Sequence, residues 1–255
     1  TSLMATGLGL YVATHPKIRR FHLFGRIHRI DGARLKEIFR IGTPIALTLA
    51  FEVSVFSAAV YLMGWIDTDS VAAHAIALQI ASIAFMVPLG LSQATVMRVG
   101  LAYGAGDARG VALAGWTSLA MALVFMGVSA AVMWLFPRDL AGLFLDLADP
   151  GSARVLDLTV SFLAVAALFQ LFDGAQVIGA SMLRGLQDTR VPMIFAALGY
   201  WVAGLGSGYL LAFPGGLGGV GIWIGSALGL GVVAALMLWR WSHRETLGLL
   251  DGRRS

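Results

Sequence analysis

Two carboxylates stand alone inside long apolar runs: Glu52 within Ile41–Trp65 and Asp173 within Leu158–Leu183. A carboxylate at a bilayer centre costs about 2.5–3.5 kcal/mol on insertion scales, so it marks a functional site by default. Glu52 lies twelve residues past Arg40, and Asp173 eleven before Arg184. At a helical rise of ~1.5 Å per residue, both sit roughly 16–18 Å from one basic edge. That is near the middle of an apolar layer about 30 Å thick. Two acids at one depth on two helices could share a monovalent cation or a proton. The alternative for each is a protonated acid that glues two helices together. Around Asp173, residues Gln170, Gly174 and Gln176 complete a polar patch within two turns. Gln170 and Asp173, three apart, share a helix face. Such a patch needs a water-filled cavity or polar partners, and Gln170 and Gln176 are candidate walls of that cavity. Ser54 and Ser57 add hydroxyl oxygens near Glu52, and hard cations such as sodium want oxygen ligands. Gln79 and Ser82, also three apart, either face the same cavity or bond a neighbouring helix. His74 is expected to be a satisfied histidine at the membrane interface.

The elements that must carry these groups are membrane helices. Hydrophobic residues make up 58% of the 255 and charged residues 13%, about half the usual share of a soluble domain. Mean hydropathy is +0.81. Apolar stretches fall at Leu35–Gly64, Val71–Tyr103, Val111–Phe136, Ala153–Leu183, Val191–Phe213 and Leu217–Trp239. Each is long enough to cross a bilayer. The expectation is an all-α integral membrane protein, a six-helix transmembrane bundle over 35–242. Residues 1–13 read as the end of a preceding helix, 14–34 as a basic connector and 243–255 as a tail. Because the chain starts at Thr1 without a methionine, it is expected to be part of a longer protein. Pro88 should kink its helix, and Gly221, Gly225 and Gly229, four apart, should admit a close neighbour.

Charge sorts by loop. The connector, the end of the second stretch, Gly104–Gly110, Arg184–Arg190 and the tail hold 16 of the 18 Lys/Arg. The opposite loops hold Arg138 and Arg154 with acids such as Asp67, Asp69, Asp146 and Asp149. The positive-inside rule places the first set, and the C-terminus, in the cytoplasm. A bacterial inner membrane is the expected location. Trp65, Trp134, Trp239 and Trp241 end helices, as interfacial anchors do. There are no cysteines for disulfides or thiolate metal sites. No His-Glu-x-x-His, Gly-x-Ser-x-Gly or P-loop pattern occurs, so no enzyme and no cofactor are expected. The basic connector reads as a lipid-facing surface, so membrane lipids are expected partners and nucleic acid is not.

Several stretches together carry a family pattern. They are Gly42-Thr-Pro-Ile-Ala with Phe51-Glu-Val; Val71-Ala-Ala-His-Ala-Ile-Ala-Leu-Gln79 running to Pro88-Leu-Gly-Leu-Ser; Arg98-Val-Gly with Gly104-Ala-Gly-Asp; and Leu183-Arg-Gly-Leu-Gln-Asp-Thr-Arg-Val-Pro192. In this order they resemble the MATE (multidrug and toxic compound extrusion) family, in its NorM-like branch. The resemblance implies the C-terminal lobe of a twelve-helix fold, with a partial preceding helix and an N-terminal six-helix bundle outside this sequence. It implies an antiporter that exports organic, often cationic, compounds by alternating access, with Na+ or H+ as coupling ion. Glu52 and Asp173 match the acids of the family's seventh and tenth helices and would bind the cation or proton. Gln79 matches a substrate-cavity position. Two rival readings remain: a flippase for lipid-linked precursors, and a membrane assembly subunit that transports nothing. The flippase would want a cavity-facing Arg for an anionic head, and none lies mid-membrane.

Overall fold

The computed structural model describes residues 6–7, 10–11, 31–146 and 149–250. Most of the expected partial first helix and basic connector therefore lies outside the described residues. Two units divide after Gly42. In the first, Asp31 accepts from the Ala33 and Arg34 backbone N–H groups and so caps the helix that starts there.

Among the described residues every regular element is helical. The helices are α1 (Gly32–Ile66), α2 (Thr68–Gly104), α3 (Ala108–Leu135), the short α4 (Pro137–Gly142), α5 (Ala153–Gly185), α6 (Arg190–Ala197), α7 (Ser207–Ala212) and α8 (Gly218–Ser242). A π-helical segment, Leu198–Gly206, joins α6 to α7, so the three form one rod. Six spans are long and apolar enough to cross a membrane by length and composition. Helix α2 runs through Pro88 as one element. Helix α4, unforeseen in the sequence, starts at Pro137, whose fixed φ suits a first helical turn.

Helix α5 is the centre. It packs on α2, α3 and α8, and residues 173–183 are buried without a break. Small residues permit this enclosure. A Cβ on Gly174 would meet Met126, and one on Gly185 would meet Val99. Between membrane helices, packing of small residues replaces the hydrophobic drive available in water.

Helix α8 lies against the π segment along a glycine seam. A Cβ built on Gly229 would stand 2.6 Å from Gly204 Cα and 2.7 Å from the Gly199 oxygen. Gly199 and Gly204 are five apart, a spacing that rotates off one face of an α-helix. The wider turn of i→i+5 bonding keeps both toward α8. Gly225 and Gly221 continue the close approach against Gly208 and Ala212 of α7, so the expectation at Gly221, Gly225 and Gly229 finds its partners in the π segment and α7 together.

Ion pairs tie the loops at each end. Arg154 reaches Asp67 at 2.7 Å and Asp69 at 3.3 Å, joining the α1–α2 turn to the start of α5. At the other end, Arg240 pairs with Asp188 beside Gln187, whose φ of 63° turns the chain sharply after α5. Each pair joins two segments that the charge alternation assigned to the same side.

Two expectations need correction. Trp65, Trp134 and Trp239 are exposed at helix ends, but Trp241 is fully buried, packed over Gly115 and Met182. Arg244 lies over the same ring, its guanidinium carbon 4.9 Å from the ring centre. The start of the tail therefore folds back onto the bundle. His74 is buried against Trp223, and neither ring nitrogen has a hydrogen-bond partner. It is a packed core histidine and not a satisfied interfacial one, because α8 covers the face it occupies.

Candidate functional site

Glu52 and Asp173 line one cavity of about 370 Å³ between α1, α2 and α5. Helix α1 contributes Glu52, Val53, Phe56, Ser57 and Val60, positions that recur at helical spacing along one stripe. Helix α2 adds Leu78, Ala81, Ser82 and Phe85, and α5 adds Phe169 and Asp173 one turn apart. The rings of Phe56 and Phe169 meet edge to face at 6.2 Å and close one wall. Asp173 is buried and Glu52 half-buried. No hydrogen bond or ion pair joins either carboxylate to another of the described residues. The charge of Glu52 reaches Asp173, and that of Arg184, nearer one end of α5, reaches Glu52.

The serines are oriented to accept. Ser57 Oγ donates to the Val53 carbonyl at 2.9 Å and Ser82 Oγ to Leu78 at 2.7 Å. Each has spent its proton on its own helix, and its lone pairs remain for a cation or a water. The cavity thus offers carboxylate and hydroxyl oxygens, with no Lys or Arg in its lining. Such a donor set suits a hard monovalent cation, a proton or the charged end of an organic cation. The volume lies in the range of roughly 300–1,000 Å³ typical of small-molecule sites.

The glutamines lie elsewhere. Gln170 is fully buried, its amide nitrogen 3.4 Å from the Ala81 carbonyl and 3.7 Å from Met133 Sδ. Gln176 is buried farther along α5, and Gln79 is exposed on α2. None of the three lines the carboxylate cavity. Ser54 donates to Phe51 and lies outside the lining as well. The aromatic walls Phe56, Phe85 and Phe169 were not readable from the sequence, where they merge with their apolar neighbours. Their spacing from the acids, four residues from Glu52 to Phe56 and from Phe169 to Asp173, is the one signal available.

Comparison with known proteins adds a family to this geometry. The MatE family model matches residues 44–210. A probable multidrug resistance protein NorM from Mesorhizobium japonicum is 57% identical over 247 residues, covering 97% of this chain and 53% of that protein. A probable NorM of Brucella suis is 54% identical over 94% of this chain and 51% of its own length. The chain thus spans about half the length of the curated relatives it matches. Among solved structures, the eukaryotic MATE transporter AtDTX14 superposes with a TM-score of 0.83 at 23% identity, over 99% of this chain and 55% of that one.

Proposed function

This chain belongs to the MatE family, and we propose that it forms one lobe of a cation-coupled antiporter that exports organic, often cationic, compounds. Its relatives are transporters and not enzymes. The observation that carries the coupling is the shared cavity, lined by both carboxylates, neither of them hydrogen-bonded or ion-paired to another described residue.

The cycle follows from competition. Sodium or protons occupy Glu52 and Asp173 in one state, and the organic cation displaces them in the other. A ligand shifts an equilibrium only by its differential affinity for two states, so both ligands must act on the same acids in opposite directions. Alternating access needs this lobe to rock against a second bundle, the expected partner. The basic loops and C-terminus would face the cytoplasm, in an inner membrane. A cavity lining free of Lys and Arg favours a cationic cargo over the anionic head of a flippase substrate. Gln79, exposed on α2, would meet the cargo from the side that faces the partner lobe.

The test replaces Asp173 by Asn in the intact protein that contains this chain. Coupled efflux of a fluorescent lipophilic cation should vanish while the amount inserted in the membrane stays the same. Efflux at the wild-type rate from Asp173→Asn would overturn the reading.

A further inference from the structure

Behind the carboxylate cavity lies a second, far smaller space that shares Phe56 as a wall. Tyr200, Gly204, Ser226 and Gly229 bound it on the other sides. Its volume is about 10 Å³, the room of one water on a scale where roughly 10–15 Å³ admits a single molecule. Tyr200 is 1% exposed, and its hydroxyl has no partner in the protein. Buried hydroxyls are nearly always hydrogen-bonded, to protein or to ordered water. Across the space, Ser226 Oγ donates to the Ile222 carbonyl at 2.9 Å, which leaves its lone pairs free to accept. One water can accept from the Tyr200 O–H and donate to Ser226 Oγ.

The fold builds this space. Tyr200 sits in the π segment, and Gly204 and Gly229 bring bare backbone to the wall. A π turn inside a membrane span recurs at functional sites. The space is interior to one lobe, so its shape is set by α1, α8 and the π segment alone. Phe56 walls both spaces, so that of Tyr200 adjoins the cavity of Glu52 and Asp173. The charged groups that reach the Tyr200 hydroxyl are Glu52, Asp173 and, with the opposite sign, Arg184.

We propose that Tyr200 and Ser226 hold one buried water in this space, and that the Tyr200 hydroxyl so fixed is a positioning residue for the Glu52–Asp173 pair. Pinned by the water, the O–H dipole keeps one orientation behind Phe56. It acts on both carboxyls and sets the balance between their protonated and cation-bearing states. The water site stands on geometry, and the positioning role rests on the antiporter reading above.

The test uses the intact protein, with water itself as the probe. An experimental structure that resolves ordered waters should show one density peak between Tyr200 Oη and Ser226 Oγ. The peak should be lost in Tyr200→Phe, which keeps the ring. The pH of half-maximal efflux in Tyr200→Phe should move by about half a unit, a roughly threefold change in protonation ratio. Ser226→Ala should move it the same way and by less. A purely structural role for Tyr200 would lower the amount of protein and leave that midpoint in place. An empty space in the wild-type density overturns the water site. A Tyr200→Phe profile that superimposes on wild type, in a protein whose Asp173→Asn variant is inactive, overturns the positioning role alone. Coupled efflux retained by Asp173→Asn removes the wider reading and the positioning role with it, and the density peak still decides the water site.

Discussion

Replacing Gly229 by alanine tests the glycine seam between α8 and the π segment. The added Cβ would stand 2.6 Å from Gly204 Cα, 2.7 Å from the Gly199 oxygen and 2.9 Å from the Gly204 nitrogen. All three are backbone atoms, so no side chain can rotate away. Restoring an ordinary 3.4 Å separation requires the two helices to part by about 0.8 Å. Packed interiors do not absorb such a shift locally, and overpacking of this size costs about 1–3 kcal/mol. Gly127 supplies the control, because a Cβ there meets nothing within 4 Å. Alanine at an open mid-helix position should gain about 0.5–1 kcal/mol. Thermal unfolding of the intact protein in detergent micelles or nanodiscs reads both. Gly229→Ala should melt several degrees below wild type, at roughly 2–4 °C per kcal/mol for a unit this size. Gly127→Ala should melt at or slightly above it. A Gly229→Ala protein as stable as Gly127→Ala would refute the seam.

Trp241→Ala should cost about 3–5 kcal/mol, because a fully buried ring leaves a cavity over Gly115 and Met182. Trp239→Ala, with half its surface exposed, should cost far less, and the same melting assay separates the two. Asp67, in the loop between α1 and α2, has its carboxyl held below the ordinary value of 3.8, first by the Ser70 backbone N–H and then by the Ser70 side chain and Arg154. A depressed value means that the unfolded chain binds its proton more readily than the native one. The stabilisation is therefore present above about pH 4 and is lost as pH falls through the native value. Asp67→Asn should flatten that acid limb, as read by melting temperature against pH, and a limb identical to wild type would contradict the cap.

Some of this was legible in the sequence and some was not, for physical reasons. Glu52 and Asp173 stood out because a carboxylate in an apolar run is costly wherever the run ends up. That both line one cavity depends on α1 and α5 flanking the same space, and depth alone does not fix which helices are neighbours. The six spans followed from length and hydropathy. Trp241 and His74 misled because a helix-end position is the same whether lipid or protein covers it. Here α8 covers His74, and the folded-back tail covers Trp241. Gln170 looked like a cavity wall because polarity was visible and direction was not. Its face of α5 turns toward α2 and α3. The π segment left no local mark either, since the Gly229 backbone it packs against lies on another helix.

The most direct test of the central claim is competition at the carboxylates. Binding of a fluorescent lipophilic cation to the intact purified protein would be titrated against sodium and, separately, against pH. The apparent Kd should rise as sodium rises or pH falls. Glu52→Gln with Asp173→Asn should abolish this dependence. A cation affinity unmoved by either, in protein that still binds the probe, would contradict it.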